Sequence, residues 1–112
     1  MFARLIGLDV ISPEDLHHLI QEGKASVIDV NSPQSWAQAH VPGAVNLDPT
    51  SFSGGDLPSD KGGLLVFYCS NPWCRKAPNA ARRAASLGYV NVRVMSAGIK
   101  GWLGAHLPVE TR

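Results

Sequence analysis

Two cysteines, Cys69 and Cys74, fall within one short segment, Cys69-Ser70-Asn71-Pro72-Trp73-Cys74-Arg75, and are the residues best equipped for covalent chemistry. A thiolate is a strong nucleophile, and its reactivity is set by how far its surroundings lower the thiol pKa. The segment leaves a continuous apolar run, Leu64–Tyr68, and enters an alanine-rich run from Ala77 to Leu87. That is a strand-to-helix turn. A helix N-terminus offers unpaired N–H groups and a partial positive charge, and Arg75 adds a fixed cation. Both predict a Cys69 thiol ionising below the ordinary value of about 8.5. Loop amides from Ser70 to Arg75 would then form a nest for an anionic substrate group, with Ser70, Asn71, Trp73, Cys74 and Arg75 as the binding residues. The competing reading, a buried inert thiol at a strand end, fits the position less well.

Cys74 has two readings. It is either a resolving thiol that attacks a persulfide or sulfenic acid on Cys69, or a side chain packed at the helix start. Cys-x4-Cys is a poor match to zinc-ligand spacing and no second ligand pair is evident, so no metal and no cofactor are expected. Trp73 reads as a loop side chain folded onto the protein or as an exposed ring that covers substrate or docks a partner. Asp29 ends an apolar run and is the candidate to support the site from behind by fixing local backbone. His17 and His18 read as solvated helix residues, and His106 as part of the C-terminal tail.

The elements that must position this segment follow from pattern. Ala25–Val30, Leu64–Tyr68 and Val90–Met95 read as buried strands, and Asp9–Ile11 and Ala44–Leu47 as weaker ones. Ser12-Pro13-Glu14-Asp15 opens a helix with Leu16, Leu19 and Ile20 on one face and Gly23 at its end. Ser32-Pro33 opens a shorter one. Ala77–Leu87 and Gly98–Leu103 supply two more, and Asp48–Gly63 reads as a surface connection. Strands alternating with helices imply an α/β fold with three layers, a largely parallel central sheet of about five strands, and helices on both faces. Ligands in such folds bind beyond the carboxyl ends of the strands, which is where Cys69 stands.

The bulk composition narrows the function classes. At 112 residues, 45% of them hydrophobic, the chain suits one domain spanning 1–112 with a genuine core. A formal net charge of +1, with charged residues at 17%, argues against a nucleic-acid binder. No apolar stretch approaches the roughly 20 residues of a membrane span. Met1–Gly7 shows no signal-peptide pattern, which makes the expected location cytoplasmic and the cysteines chemical instead of a structural staple.

Several motifs, in order, resemble the rhodanese family. Val27-Ile28-Asp29-Val30 is similar to its strand ending in Asp-Val-Arg. Trp36-Ala37-Gln38-Ala39-His40-Val41-Pro42-Gly43-Ala44-Val45-Asn46-Leu47 resembles its aromatic-x-x-Gly-His-Ile-Pro-Gly-Ala-x-Asn-Ile signature. Phe67-Tyr68-Cys69 resembles the strand leading to the catalytic cysteine. Gly88-Tyr89-Val90-Asn91-Val92, Ala97-Gly98-Ile99-Lys100-Gly101-Trp102 and Leu107-Pro108-Val109-Glu110 resemble the family's closing segments, so that the likeness covers roughly residues 9–110. The resemblance implies a rhodanese-like fold and a sulfurtransferase. Cys69 would take sulfane sulfur from a small anionic donor such as thiosulfate, hold it as a persulfide, and pass it to a thiol or cyanide, or to a protein sulfur acceptor. It also implies a structural His40, hydrogen-bonded to backbone.

The sequence departs from that pattern in places. Asn31 stands where Arg is usual and Ser35 where Glu is frequent; Ala39 and Ala97 replace glycines, implying ordinary backbone angles there. The loop after Cys69 is two residues longer than in the commonest single-domain members and resembles a subgroup with Cys-x4-Cys. Two alternatives stay open: a relay or redox switch using Cys69 and Cys74 with a protein partner, and a Cys-x5-Arg phosphatase. Against the phosphatase, Pro72 removes one amide from the cradle, Tyr68 replaces the usual His, and the loop holds no acid.

Overall fold

Residues 8–112 are described by the computed structural model, so Met1–Gly7, read above for a signal peptide, lies outside the described residues. Five short strands form one sheet: β1 (Asp9–Val10), β2 (Ala25–Asp29), β3 (Val45–Asn46), β4 (Leu64–Tyr68) and β5 (Val92–Val94). Every pairing is parallel and the spatial order is β1-β5-β4-β2-β3. Among the described residues there are four α-helices, α1 (Pro13–Gln21), α2 (Pro33–Gln38), α3 (Lys76–Ser86) and α4 (Gly98–Gly104), the last of which follows β5.

Side-chain alternation along the two central strands sorts the core into two layers. Val27, Val66 and Tyr68 face one side, against Leu16 of α1, Trp102 of α4 and Met95. Ile28, Leu65 and Phe67 face the other, against Ala77, Ala80, Ala81 and Ala84 of α3. Those alanines recur at i, i+3, i+4 and i+7, a stripe of small residues on which a helix can lie close to a sheet. The expected three-layer α/β fold is therefore what forms, with helices on both faces.

The helix ends follow their capping chemistry. Ser12 Oγ accepts from Asp15 N at 3.1 Å and Ser32 Oγ from Ser35 N at 3.2 Å, each followed by proline. Gly23 and Gly88 take left-handed φ of 69° and 102° just beyond α1 and α3. Ala39 and Ala97 have φ of −166° and −61°, ordinary values, as their replacement of glycine implied.

Two expectations need correction. The last strand is shorter than Val90–Met95, because Val90 lies outside the ladder, giving its N–H to Lys61 O at 3.1 Å with its side chain exposed. The Asp48–Gly63 connection is not confined to the surface: Phe52 and Leu57 are buried in the α3-side core. Isolated apolar residues between serines, or between an aspartate and a proline, carry no periodicity, so the sequence pattern does not reveal that they turn inward.

Chain direction places the site. After β2 the chain moves outward to β3, whereas after β4 it moves to β5 on the other side. The loops at the carboxyl ends of β2 and β4 therefore part company, and the crevice between them is where ligands bind in such sheets.

Candidate active site

Cys69 is the first residue beyond β4, and alternation carries its side chain to the α3 face, where it is 3% exposed. The next five residues curl back under the control of Asn71. Its backbone oxygen accepts from Cys74 N at 3.2 Å, and its Oδ1 accepts from Trp73 N at 2.9 Å. Asn71 thus spends its side chain inside the loop, with Nδ2 also on Ser70 Oγ at 3.4 Å. This turn returns Cys74 to Cys69, placing the two sulfurs within hydrogen-bond reach of each other.

Backbone amides converge on both sulfurs. Ala77 N–H and Ser70 N–H reach Cys69, while Lys76 N–H, Ser70 N–H and the Ser70 hydroxyl reach Cys74. Lys76 and Ala77 open α3, whose first amides have no partner within the helix. The expected meeting of thiol and helix N-terminus is present.

Its electrostatic consequence differs from the expectation. Burial and the Cys74 sulfur push the Cys69 thiol up to about 12, overriding the two amides that act the other way. Cys74 moves down, because the Cys69 S–H and the amides stabilise its thiolate against a partial burial. The sequence-based expectation that Cys69 itself ionises easily is corrected by its burial first and by the Cys74 sulfur second, neither of which spacing alone can establish.

The remaining predicted residues fall into place around this pair. Trp73 is 74% exposed at the loop tip, and Arg75 is exposed at the α3 cap. Asp29 is fully buried on the opposite sheet face from the Cys69 side chain and does fix backbone: Oδ1 accepts from Asn31 N at 2.7 Å, and Oδ2 accepts from the Tyr68 hydroxyl at 2.6 Å. The same hydroxyl accepts from Val41 N at 3.0 Å. His40 is structural, as implied: Nδ1 is 2.6 Å from Trp36 O and the ring stacks on Trp36 at 4.1 Å. His17 is not simply solvated, since its ring meets the edge of Trp102 at 5.8 Å.

Burial holds the Asp29 pKa above its usual value of 3.8 in spite of these hydrogen bonds, with Tyr68 first among those opposing the rise. A raised folded pKa means that stability falls as pH climbs from 3.8 through that folded value. Tyr68→Phe removes the strongest opposing bond and leaves Val41 N–H without its acceptor. We predict a loss of about 3 kcal/mol at neutral pH. The loss is smaller at acid pH, where a larger share of Asp29 is protonated and its bond with the phenol is weaker. Urea unfolding of both chains at the two pH values measures this, and an equal loss at both would refute it.

Two contributors were not visible in the sequence. Ile99 N and Lys100 N, at the start of α4, donate to Cys69 O and Ser70 O at 2.9 and 3.1 Å, clamping the peptides that follow Cys69. Gly98 sits against the same peptide: a Cβ there would stand 2.5 Å from the Ser70 carbonyl carbon. Beside the loop, a cleft of about 350 Å³ opens at the carboxyl ends of β2 and β3, lined by Val30, Asn31, Pro33, Asn46, Asp48 and Lys76. A larger cleft of about 430 Å³ near Ile20, Ala25 and Pro42 has no thiol or imidazole in its walls.

Among the described residues no group of side chains could hold a metal ion, and no helix is long and apolar enough to cross a membrane. Comparison with known proteins decides the family: the rhodanese-like domain model matches residues 12–105. This chain belongs to the rhodanese-like domain family. It is 31% identical over 101 residues to thiosulfate sulfurtransferase GlpE of Pseudomonas fluorescens, covering 90% of this chain and 89% of that one. It is 29% identical over 104 residues to an HTH-type transcriptional regulator of Mycobacterium tuberculosis, covering 91% of this chain but 45% of the regulator, so this chain spans about half the length of that relative. A crystal structure of a Bacillus halodurans protein superposes with a TM-score of 0.84 at 24% identity, over 98% of this chain and 81% of the other. That likeness concerns the fold.

Proposed function

We propose that this rhodanese-like domain, acting as one domain, is a sulfurtransferase that carries sulfane sulfur as a persulfide on Cys69. The observation that carries the reading is the thiol pair at the carboxyl end of β4, ringed by the first amides of α3. As Cys69 attacks the outer sulfur of thiosulfate, its proton passes to the Cys74 thiolate and sulfite departs with the electrons of the broken S–S bond. Amides of Ser70, Lys76 and Ala77 steady the anionic sulfurs, which is covalent catalysis backed by fixed donors. Lys76, on the wall of the neighbouring cleft, faces the donor's oxyanion end, and a thiol or cyanide then removes the sulfur.

The test is to incubate reduced protein with thiosulfate, weigh it intact at early times, and map the added sulfur by proteolysis. A gain of one sulfur atom on Cys69 supports the reading. No gain with any sulfane donor, joined to turnover of p-nitrophenyl phosphate, overturns it in favour of a phosphatase.

A pH dependence follows from the thiol pair. In the wild type the Cys74 thiolate takes the Cys69 proton, and Cys74 is held below the ordinary thiol value, so the loading rate rises with pH on the acid side of about 8.5. In Cys74→Ser, Cys69 must ionise unaided while burial still opposes it, so the rising limb moves to higher pH. Rapid-quench loading rates across pH measure both limbs. Superimposable profiles would show that Cys74 does not take the proton.

A further inference from the structure

The contact between the two sulfurs has a second use once Cys69 is loaded. We propose that Cys74 discharges the Cys69 persulfide within the same chain, releasing hydrosulfide and leaving a Cys69–Cys74 disulfide that a low-molecular-weight thiol reopens. This rests on the persulfide reading above and adds to it a thiol-dependent sulfide-releasing activity.

The geometry favours it in three ways. Cys74 packs against the buried cluster that holds Cys69, within hydrogen-bond reach of its sulfur, whereas a sulfur added to Cys69 would extend beyond it. The inner sulfur is therefore the atom that Cys74 meets first. Cys69 is 3% exposed, which hinders external thiols from reaching its inner sulfur, while Cys74 sits beside it on the half-buried loop. The turn that brings the sulfurs together is held by Asn71 through Cys74 N and Trp73 N, so little rearrangement is needed.

The step balances without an external oxidant. Loading leaves the persulfide anion on Cys69 and the transferred proton on Cys74. That proton moves to the outer sulfur, and the Cys74 thiolate pair forms a bond to Cys69 Sγ. The bond from Cys69 Sγ to the outer sulfur breaks, and the outer sulfur leaves with both electrons as hydrosulfide. The two cysteine sulfurs are oxidised and the sulfane sulfur is reduced by the same two electrons. Attack by a thiolate on a sulfur–sulfur bond is ordinary exchange chemistry. The disulfide closes a loop too small to contribute much chain entropy, so external thiols can reopen it.

The experiment uses the full chain, reduced, freed of thiol and held anaerobic, with thiosulfate added and sulfide assayed. Wild type is expected to release one sulfide per chain, stop, and weigh two hydrogens less than the reduced protein. Adding dithiothreitol should restart release. Cys74→Ser should load more slowly, hold its added sulfur and release sulfide only after dithiothreitol. Wild type that keeps the added sulfur on Cys69 as firmly as Cys74→Ser overturns this inference and leaves the persulfide reading standing. Sulfur found on Cys74, or two hydrogens lost without thiosulfate, also overturns it. Absence of any added sulfur in wild type and Cys74→Ser alike, with no sulfide released, removes the persulfide reading itself.

Discussion

A Cys69→Ser chain is expected to take up no sulfur from thiosulfate at any pH between 6 and about 10, the range over which thiols ionise and serine hydroxyls do not. The expectation has content because the two thiols compete for the role. Cys74 is the more accessible and the more easily ionised, so thiolate fraction alone would nominate it. Geometry nominates Cys69. It stands at the end of the central strand β4, its peptide oxygen clamped by Ile99 N at 2.9 Å, with the Ala77 amide on its sulfur. A nucleophile whose backbone is held at both ends keeps a single line of attack, and orientation is worth far more than a modest change in thiolate fraction. Serine fits the same pocket and its oxygen can accept from Ala77 N–H, so the variant should fold with a stability loss of about 1 kcal/mol. Circular dichroism and intact mass together check both halves. Sulfur loading of Cys69→Ser on Cys74 would reassign the nucleophile.

Gly98→Ala is expected to slow sulfur loading by about 100-fold, the scale of a 1 Å misplacement of reacting groups. Gly98 has φ +69°, and an added Cβ would lie 2.5 Å from Ser70 C, 2.6 Å from Asn71 N and 2.6 Å from Ser70 O. All three are backbone atoms of the loop that turns Cys74 toward Cys69, so no side chain can swing aside to relieve the clash. The left-handed angle alone costs alanine about 1–2 kcal/mol. Moving Ser70 also strains the bond from Lys100 N to Ser70 O, of 3.1 Å, on which the loop depends. Gly104→Ala is the control, since that position has no atom within 4 Å of its added Cβ and no left-handed angle. Loading rates and thermal unfolding of the two variants separate the effects. Equal loading by Gly98→Ala and wild type would mean that the loop position does not govern the chemistry.

The sequence by itself determined the α/β order, because each element announces itself locally. Ser12-Pro13 and Ser32-Pro33 cap helices, the Ala77–Ala84 stripe has helical period, and Leu64–Tyr68 is a continuous apolar run of strand length. It also placed Cys69 at the strand-to-helix turn, since parallel sheets put ligands beyond the strand ends. Only the tertiary structure decided what lies around that thiol. The clamp from α4 comes from residues thirty positions away, and nothing in a glycine's neighbours reveals which backbone it will press against. Phe52 and Leu57 are buried by a connection whose local pattern is that of a loop. The ionisation of Cys69 was read from the helix and Arg75, but burial and the Cys74 sulfur outweigh both amides. Charge and capping are properties of short segments and can be read along the chain. Desolvation depends on everything that closes around a group in space, so it becomes definite only when the chain has folded.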